Sequence, residues 1–237
     1  MLLFYVRHGD PIYNPDSLTP LGKRQAEAAA KRLSIYGIDK IFASTSTRAI
    51  QTSAPTCEIM KKDVQLLDFC NESHAWEELT VENDIGKTWL FSDNATRRLF
   101  TEDSIRQLGF HWYNHPDLAE HNYKKGIDRI YNETDKFLLS LGYEHERYTG
   151  RYKSVNPTND RIALFAHQGF FIAFLSCVLD IPYPQIGLHF DCCHTGITAI
   201  EFNDVNGCTI PKVLTLSSDS HIYKEGLPTN YNNHIRF

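Results

Sequence analysis

The chain has 237 residues, of which 42% are hydrophobic and 22% charged, and its formal net charge is −5. That length suffices to bury a core without disulfide or metal staples, and permits either one large domain or two small ones. The acidic balance excludes a nucleic-acid binder with a basic surface, so any pull on an anionic ligand has to be local.

Residues 2–6 (Leu-Leu-Phe-Tyr-Val) form a short, unbroken apolar run, which suits a strand covered on both faces. The run is too short for the apolar stretch of a signal peptide, and nothing later approaches the ~20 residues of a membrane span. Thr19-Pro20 opens a helix by capping and by the preference of Pro for the first helical position. Leu21, Ala26, Ala29, Ala30 and Leu33 then recur at helical spacing until Gly37. A second strand is expected over residues 40–43, a helix over 47–61 with a kink or restart at Pro55, and a third strand over 64–67.

From about residue 73 to 159 the pattern loosens. This stretch is rich in Trp, Tyr, His and Asn, and its clearest element is a helix over 124–141. The tract 143–159 is polar and reads as irregular. Strand and helix alternation returns with a strand over 162–166, a helix over 170–179, and strands over 196–202 and 213–217. The tail from 219 onward has no clear period. Alternation of this kind predicts an α/β fold: a three-layer α/β/α sandwich with a mainly parallel sheet, built as one domain over 1–237. A helical and irregular cap insertion over about 73–159 is expected to lie over the sheet edge. The six cysteines, at 57, 70, 177, 192, 193 and 208, lack CxxC spacing, and reduced, mostly buried thiols in a cytoplasmic protein are the expectation.

In open parallel sheets, ligands bind beyond the carboxyl ends of the strands. Arg7-His8-Gly9 follow the first strand, Ser44 and Arg48 the second, Glu72 the third, and His167-Gln168-Gly169 the fourth. A histidine pair can supply a nucleophile and a polarising partner. Guanidinium forks suit phosphate oxygens, and a nearby carboxylate can protonate a leaving alcohol. The inventory is one for phosphoryl transfer, and the remaining histidines (74, 111, 115, 121, 145, 189, 221, 234) show no metal-site spacing.

The same residues resemble the motifs of the histidine phosphatase superfamily, in its phosphoglycerate mutase-like branch. Val6-Arg7-His8-Gly9 resembles its Arg-His-Gly signature, and Leu18-Thr19 through Gly22 to Gln25-Ala26 its first helix start. Ser44 through Arg48-Ala49 to Thr52, Glu72 with Trp76-Glu77, and His167-x-Gly169 are similar to its later motifs, in the family's order. The resemblance implies that His8 takes up a phosphoryl group. It implies that Arg7, Arg48 and His167 neutralise the phosphate oxygens, that Glu72 moves the proton, and that Asn14 and the Gln168 backbone touch the phosphate. There are departures: Asp10-Pro11 replaces the common Glu-Thr pair, Gln168 follows the second histidine, and His194 stands where Asn is usual.

The leading expectation is therefore a metal-independent, cofactor-free phosphatase acting on a small phosphorylated substrate, with no nucleic-acid or membrane partner and a possible dimer. A phosphoglycerate-type mutase ranks second, on the insertion and on Arg97-Arg98, which resembles a pair in the mutase cap. A catalytically inactive phosphate- or phosphoprotein-binding module ranks third.

Overall fold

The structure, a computed structural model, describes residues 1–231; residues 232–237, including His234 and the end of the tail, lie outside them. The strands are β1 (Leu2–Arg7), β2 (Pro11–Tyr13), β3 (Asp16–Leu18), β4 (Lys40–Ser44), β5 (Val64–Leu67), β6 (Thr80–Asn83) and β7 (Gly86–Trp89). They continue with β8 (Tyr143–Glu146), β9 (Arg151–Ser154), β10 (Arg161–Ala166), β11 (Ile197–Glu201), β12 (Asp204–Val205), β13 (Cys208–Thr209) and β14 (Lys212–Ser218). The helices are α1 (Pro20–Tyr36), α2 (Thr47–Met60), α3 (Glu72–Glu78), α4 (Asn94–Leu99) and α5 (Asp103–Leu108). After them come α6 (Tyr123–Ser140), α7 (Gln168–Leu179), α8 (Tyr183–His189) and α9 (Ser220–Lys224).

A central sheet runs in the order β14-β11-β1-β10-β4-β5. The pairs β1–β10, β10–β4 and β4–β5 are parallel, whereas β11 is antiparallel to both β1 and β14. The apolar run of β1 is explained by burial on both faces. Leu3 and Tyr5 join one core cluster, with α6 and α7, while Phe4 and Val6 join the other, with Leu33 of α1. Helix α7 is apolar on all sides because it is enclosed on all sides: residues 168–178 are buried. Thr19 caps α1 as expected, its side chain accepting from the Gly22 N–H, and Gly37 ends that helix at φ 74°.

Three local expectations need correction. Of the kink or restart expected at Pro55, the restart is overturned: α2 runs through it as one element. The insertion's long helix α6 lies on a face of the sheet beside α7, not over the edge. Its Phe137 meets Phe42 of β4 edge-on at 5.1 Å, and its Tyr131 hydroxyl is 2.5 Å from the Ser176 hydroxyl of α7. The polar tract after it is not irregular. β8 and β9 pair as a hairpin, and β13 then β12 extend it into a small sheet. That sheet buries only Tyr143, Tyr152 and Thr209 fully, so its sequence is mostly polar.

The small sheet is pinned by an ionic clamp. His145 of β8 places Nδ1 2.8 Å from Asp135 of α6 and Nε2 3.1 Å from Asp180 at the end of α7, with its ring stacked on Tyr152. Burial pulls the imidazole pKa down, and the two carboxylates more than reverse it, raising it to about 9. Because the folded pKa exceeds the unfolded value near 6.5, the clamp contributes fully below pH 6.5 and is lost as pH rises through 9. Chemical denaturation from pH 6.5 to 9.5 should therefore show a stability loss on the order of 2–3 kcal/mol. His145→Gln should be less stable at pH 6.5 and should lose most of that pH dependence; an unchanged slope would rule the clamp out.

Candidate active site

Arg7 and His8 end β1, Ser44 ends β4, and His167 follows β10, so parallel strands deliver all four to one rim. Because β11 runs the opposite way, the residues before it, Cys192 to Thr195, arrive at the same rim. The Thr195 N–H donates to the main-chain carbonyls of Arg7 (3.1 Å) and His8 (3.2 Å). The glycines of the first two motifs meet here. A Cβ on Gly9 would lie 2.6 Å from the Gly22 carbonyl oxygen, and one on Gly22 would lie 2.2 Å from that of Asp10. Only glycine allows this approach of α1 to the loop carrying His8.

His8 is 1% exposed, and its Nδ1 lies 2.7 Å from the Gly9 carbonyl oxygen. A carbonyl only accepts, so Nδ1 carries the proton and Nε2 presents its lone pair. Burial first, then the positive field of His167, Arg7 and Arg48, holds the His8 pKa well below the ordinary imidazole range. His167 is fully buried, lies 2.8 Å from the Ser44 hydroxyl and 3.1 Å from that of Ser46, and is likewise depressed, by burial and then by Arg48 and Arg7. Two neutral imidazoles among guanidinium groups form a place for an anion.

Arg7 is fully buried and donates to the Cys192 carbonyl (2.6 Å) and to His194 Nε2 (3.0 Å). Arg48 donates to Asp16 Oδ1 (2.8 Å) and Glu72 Oε2 (3.0 Å). Burial opposes its charge, yet the two carboxylates raise its pKa above the ordinary arginine value. Glu72 is the first residue of α3, and its Oε1 accepts from the Gly169 N–H at 2.9 Å. Gly169 belongs to the first turn of α7, whose positive dipole end therefore faces the rim. Of the neighbouring acids, Glu78 is paired with Arg129, and Glu77, Glu82 and Asp84 are exposed.

One ligand atom from each of His8, Glu72 and His167 lies within 4.8 Å of the other two. Two histidines and a carboxylate could hold a divalent cation by their chemistry alone. The Arg7 and Arg48 guanidinium groups around the two buried imidazoles favour an oxyanion there over a cation. A second trio, Asp135, His145 and Cys177, shares Asp135 and His145 with the clamp described above, in which both His145 nitrogens already face carboxylates.

Other expected residues are placed as follows. Asn14 stands exposed at the turn between β2 and β3, while its neighbours Tyr13 and Asp16 line a cleft of about 740 Å³ that reaches Arg48 and Glu72. Gln168 is buried, and its amide donates to Asp191 Oδ1, which also accepts from the Cys192 N–H (2.6 Å). Arg97 and Arg98 line a hollow with Leu188 and His189, Arg97 also lines a second one with Gln168 and Asp191, and it donates to the Phe91 carbonyl (2.9 Å). Asp16, Ser46 and the Cys192 carbonyl were missed by sequence reasoning.

Two departures from the family pattern meet in space. His194 Nδ1 lies 3.6 Å from Asp10 Oδ1, while its Nε2 accepts from Arg7. A guanidinium has no acceptor, so this contact requires the Nδ1–H tautomer, whose proton faces Asp10. An asparagine oxygen could accept the same bond. Accordingly, His194→Asn should stay within about threefold of the parent kcat/KM, while His194→Ala should fall roughly tenfold or more. Equal losses in steady-state assays of both variants would dismiss that contact.

Residues 3–124, about half of the chain, match the family model of the histidine phosphatase superfamily (branch 1). Among solved structures, phosphoserine phosphatase from Entamoeba histolytica, in complex with 3-phosphoglyceric acid, is 18% identical with a TM-score of 0.59, covering 93% of this chain and 98% of that one. The mycobacterial glucosyl-3-phosphoglycerate phosphatase with bound VO3 is 18% identical with a TM-score of 0.60, covering 92% and 99%. A putative α-ribazole-5′-phosphate phosphatase from Escherichia coli is 17% identical with a TM-score of 0.54, covering 92% and 96%. A search of curated protein sequences found no match.

Proposed function

The chain belongs to the histidine phosphatase superfamily (branch 1), and we propose that it hydrolyses a phosphomonoester, without a metal, through a phosphohistidine on His8. One observation carries the reading: a neutral imidazole with its proton locked on Gly9 sits between two guanidiniums, a second imidazole and a carboxylate.

In the first step His8 Nε2 attacks phosphorus as the ester P–O bond breaks, and Glu72 gives its proton to the departing oxygen. Arg7, Arg48, His167 and the first turn of α7 stabilise the equatorial oxygens, the main source of catalysis in phosphoryl transfer. In the second step Glu72 takes a proton from water, the water oxygen attacks phosphorus and the P–N bond breaks. Inorganic phosphate leaves, and His8 returns neutral.

The three phosphatases similar in fold act, by their names, on phosphoserine, a glucosylated phosphoglycerate and a ribazole phosphate. They favour hydrolysis over isomerisation. The mutase alternative needs a second cationic grip on the substrate; neither Arg97 nor Arg98 lines the cleft of Arg48 and Glu72, and of the two only Arg97 lines a hollow with Gln168. Incubation with phosphomonoesters in the presence of a chelator is expected to release phosphate at an undiminished rate. Isomerisation of 3-phosphoglycerate primed with 2,3-bisphosphoglycerate, without phosphate release, would replace this reading by the mutase.

A further inference from the structure

The cleft beside Glu72 and Arg48 has walls that say more about the substrate than its floor does. Its lining includes Tyr13 on the β2–β3 hairpin, Trp76 on α3 and Trp89 on β7, together with the neutral polar residues Thr45, Thr47, Asn71, Ser73 and Thr88. Trp76 and Trp89 meet edge-to-face at 4.9 Å, and Trp89 in turn stacks on Phe91 at 5.6 Å. The position of Trp89 is dictated from below: a Cβ on Gly169 would lie 2.3 Å from its indole. The same glycine donates its N–H to Glu72, so wall and proton-moving carboxylate are registered to one helix start.

Tyr13 and Trp76 are 63% and 36% exposed, large aromatic surfaces held open to solvent at the mouth of a cavity. Exposed aromatics grouped around a concave site mark a place where a ligand completes the burial. Among the described residues lining the cleft, the charged ones are Asp16, Arg48 and Glu72, and the two acids already engage the arginine. A cleft of about 740 Å³ would be mostly empty around a three-carbon phosphate. A second anionic group on the substrate would find aromatic faces and hydroxyls there.

We propose that the cleft selects phosphomonoesters whose alcohol is uncharged and carries a flat-faced ring, seated between Tyr13 and the Trp76–Trp89 pair. This rests on the phosphatase reading above. Both an aryl ring and a sugar face present the required chemistry: an apolar face to the aromatic walls, and an edge within reach of Asn71, Ser73 and Thr88.

The test measures kcat/KM by phosphate release for phenyl phosphate, glucose 6-phosphate, phosphoserine and 3-phosphoglycerate. One or both ring esters should exceed both charged substrates by about tenfold or more, as expected for the burial of one ring face on aromatic walls. The two ring arms show whether the ring is an aryl or a sugar face. Trp76→Ala should cost the preferred ring ester about tenfold, mainly through KM, and change phosphoserine turnover less than threefold. Equal losses on all substrates, or a preference for phosphoserine or 3-phosphoglycerate, would overturn the proposal. A charge preference that disappears in Lys87→Ala would overturn it in favour of Lys87, whose ammonium lies 5.7 Å from the Trp76 ring centroid. Absence of phosphate release from every ester would instead sink the phosphatase reading. The ring selectivity is then read from the quenching of tryptophan fluorescence by the same four esters in the His8→Ala protein. Tighter binding of a ring ester supports the proposal, and equal or tighter binding of the charged pair overturns it.

Discussion

His8→Ala is expected to lower kcat/KM for every phosphomonoester by roughly 10⁴-fold or more, with little change in thermal stability. A nucleophile has no partial substitute: its removal forces direct attack by water on the ester, a step in which Glu72 would have to protonate the leaving oxygen and deprotonate the water at once. Besides the ring contacts of His8 with His167 (5.2 Å) and His194 (5.7 Å), the folded state loses the bond from Nδ1 to the Gly9 carbonyl, an interaction of about 1 kcal/mol. The two quantities should therefore separate cleanly in steady-state kinetics and thermal melts. Residual activity above about 1% of the parent would show that His8 is a bystander.

Glu72→Gln should give the second largest effect, and its size should depend on the leaving group. For an alkyl or sugar phosphate, whose oxygen must be protonated as it departs, kcat/KM should fall about 10²- to 10³-fold. For 4-nitrophenyl phosphate, which leaves without a proton, kcat/KM should hold within about tenfold while kcat falls, because water still has to be deprotonated. A burst of nitrophenolate should then precede slow turnover. The amide keeps an oxygen for the Gly169 N–H, so the change is confined largely to charge and proton transfer. A loss independent of the leaving group would move the acid's role elsewhere. Glu77, Glu82 and Asp84 are solvent-exposed, and their alanine variants should show near-parent rates.

The sheet and most of the rim were legible because strand ends in a parallel sheet carry chemistry in a known place. Arg7, His8, Ser44 and His167 follow three adjacent strands, and short apolar runs mark those strands without ambiguity. Reading only the residues after each strand breaks down at β11. Its antiparallel direction brings Cys192 and His194 to the rim from before the strand, and no local pattern announces direction. His194 entered the sequence reading only through the family motif. Asp16 was invisible for another reason: a carboxylate in a short polar hairpin looks like any turn residue until Arg48 is seen to reach it.

In the insertion the periodic signal was lost to short elements. Helices α4 and α5 have six residues each, and the strands β8 and β9 have four, too few for a period to emerge. Trp76 and Trp89 were legible only as members of an aromatic-rich stretch. Their assignment to the cleft wall needed the close approach of Trp89 to Gly169, a contact between residues 80 positions apart.

In the proposed mechanism phosphorus becomes bonded to His8. The most direct test mixes the Glu72→Gln variant with 4-nitrophenyl phosphate, quenches in alkali within the burst, and maps the phosphate by peptide mass spectrometry. Near-stoichiometric, acid-labile phosphate is expected on the peptide that carries His8. Phosphate on another side chain, or a burst with no phosphorylated peptide, would contradict the mechanism.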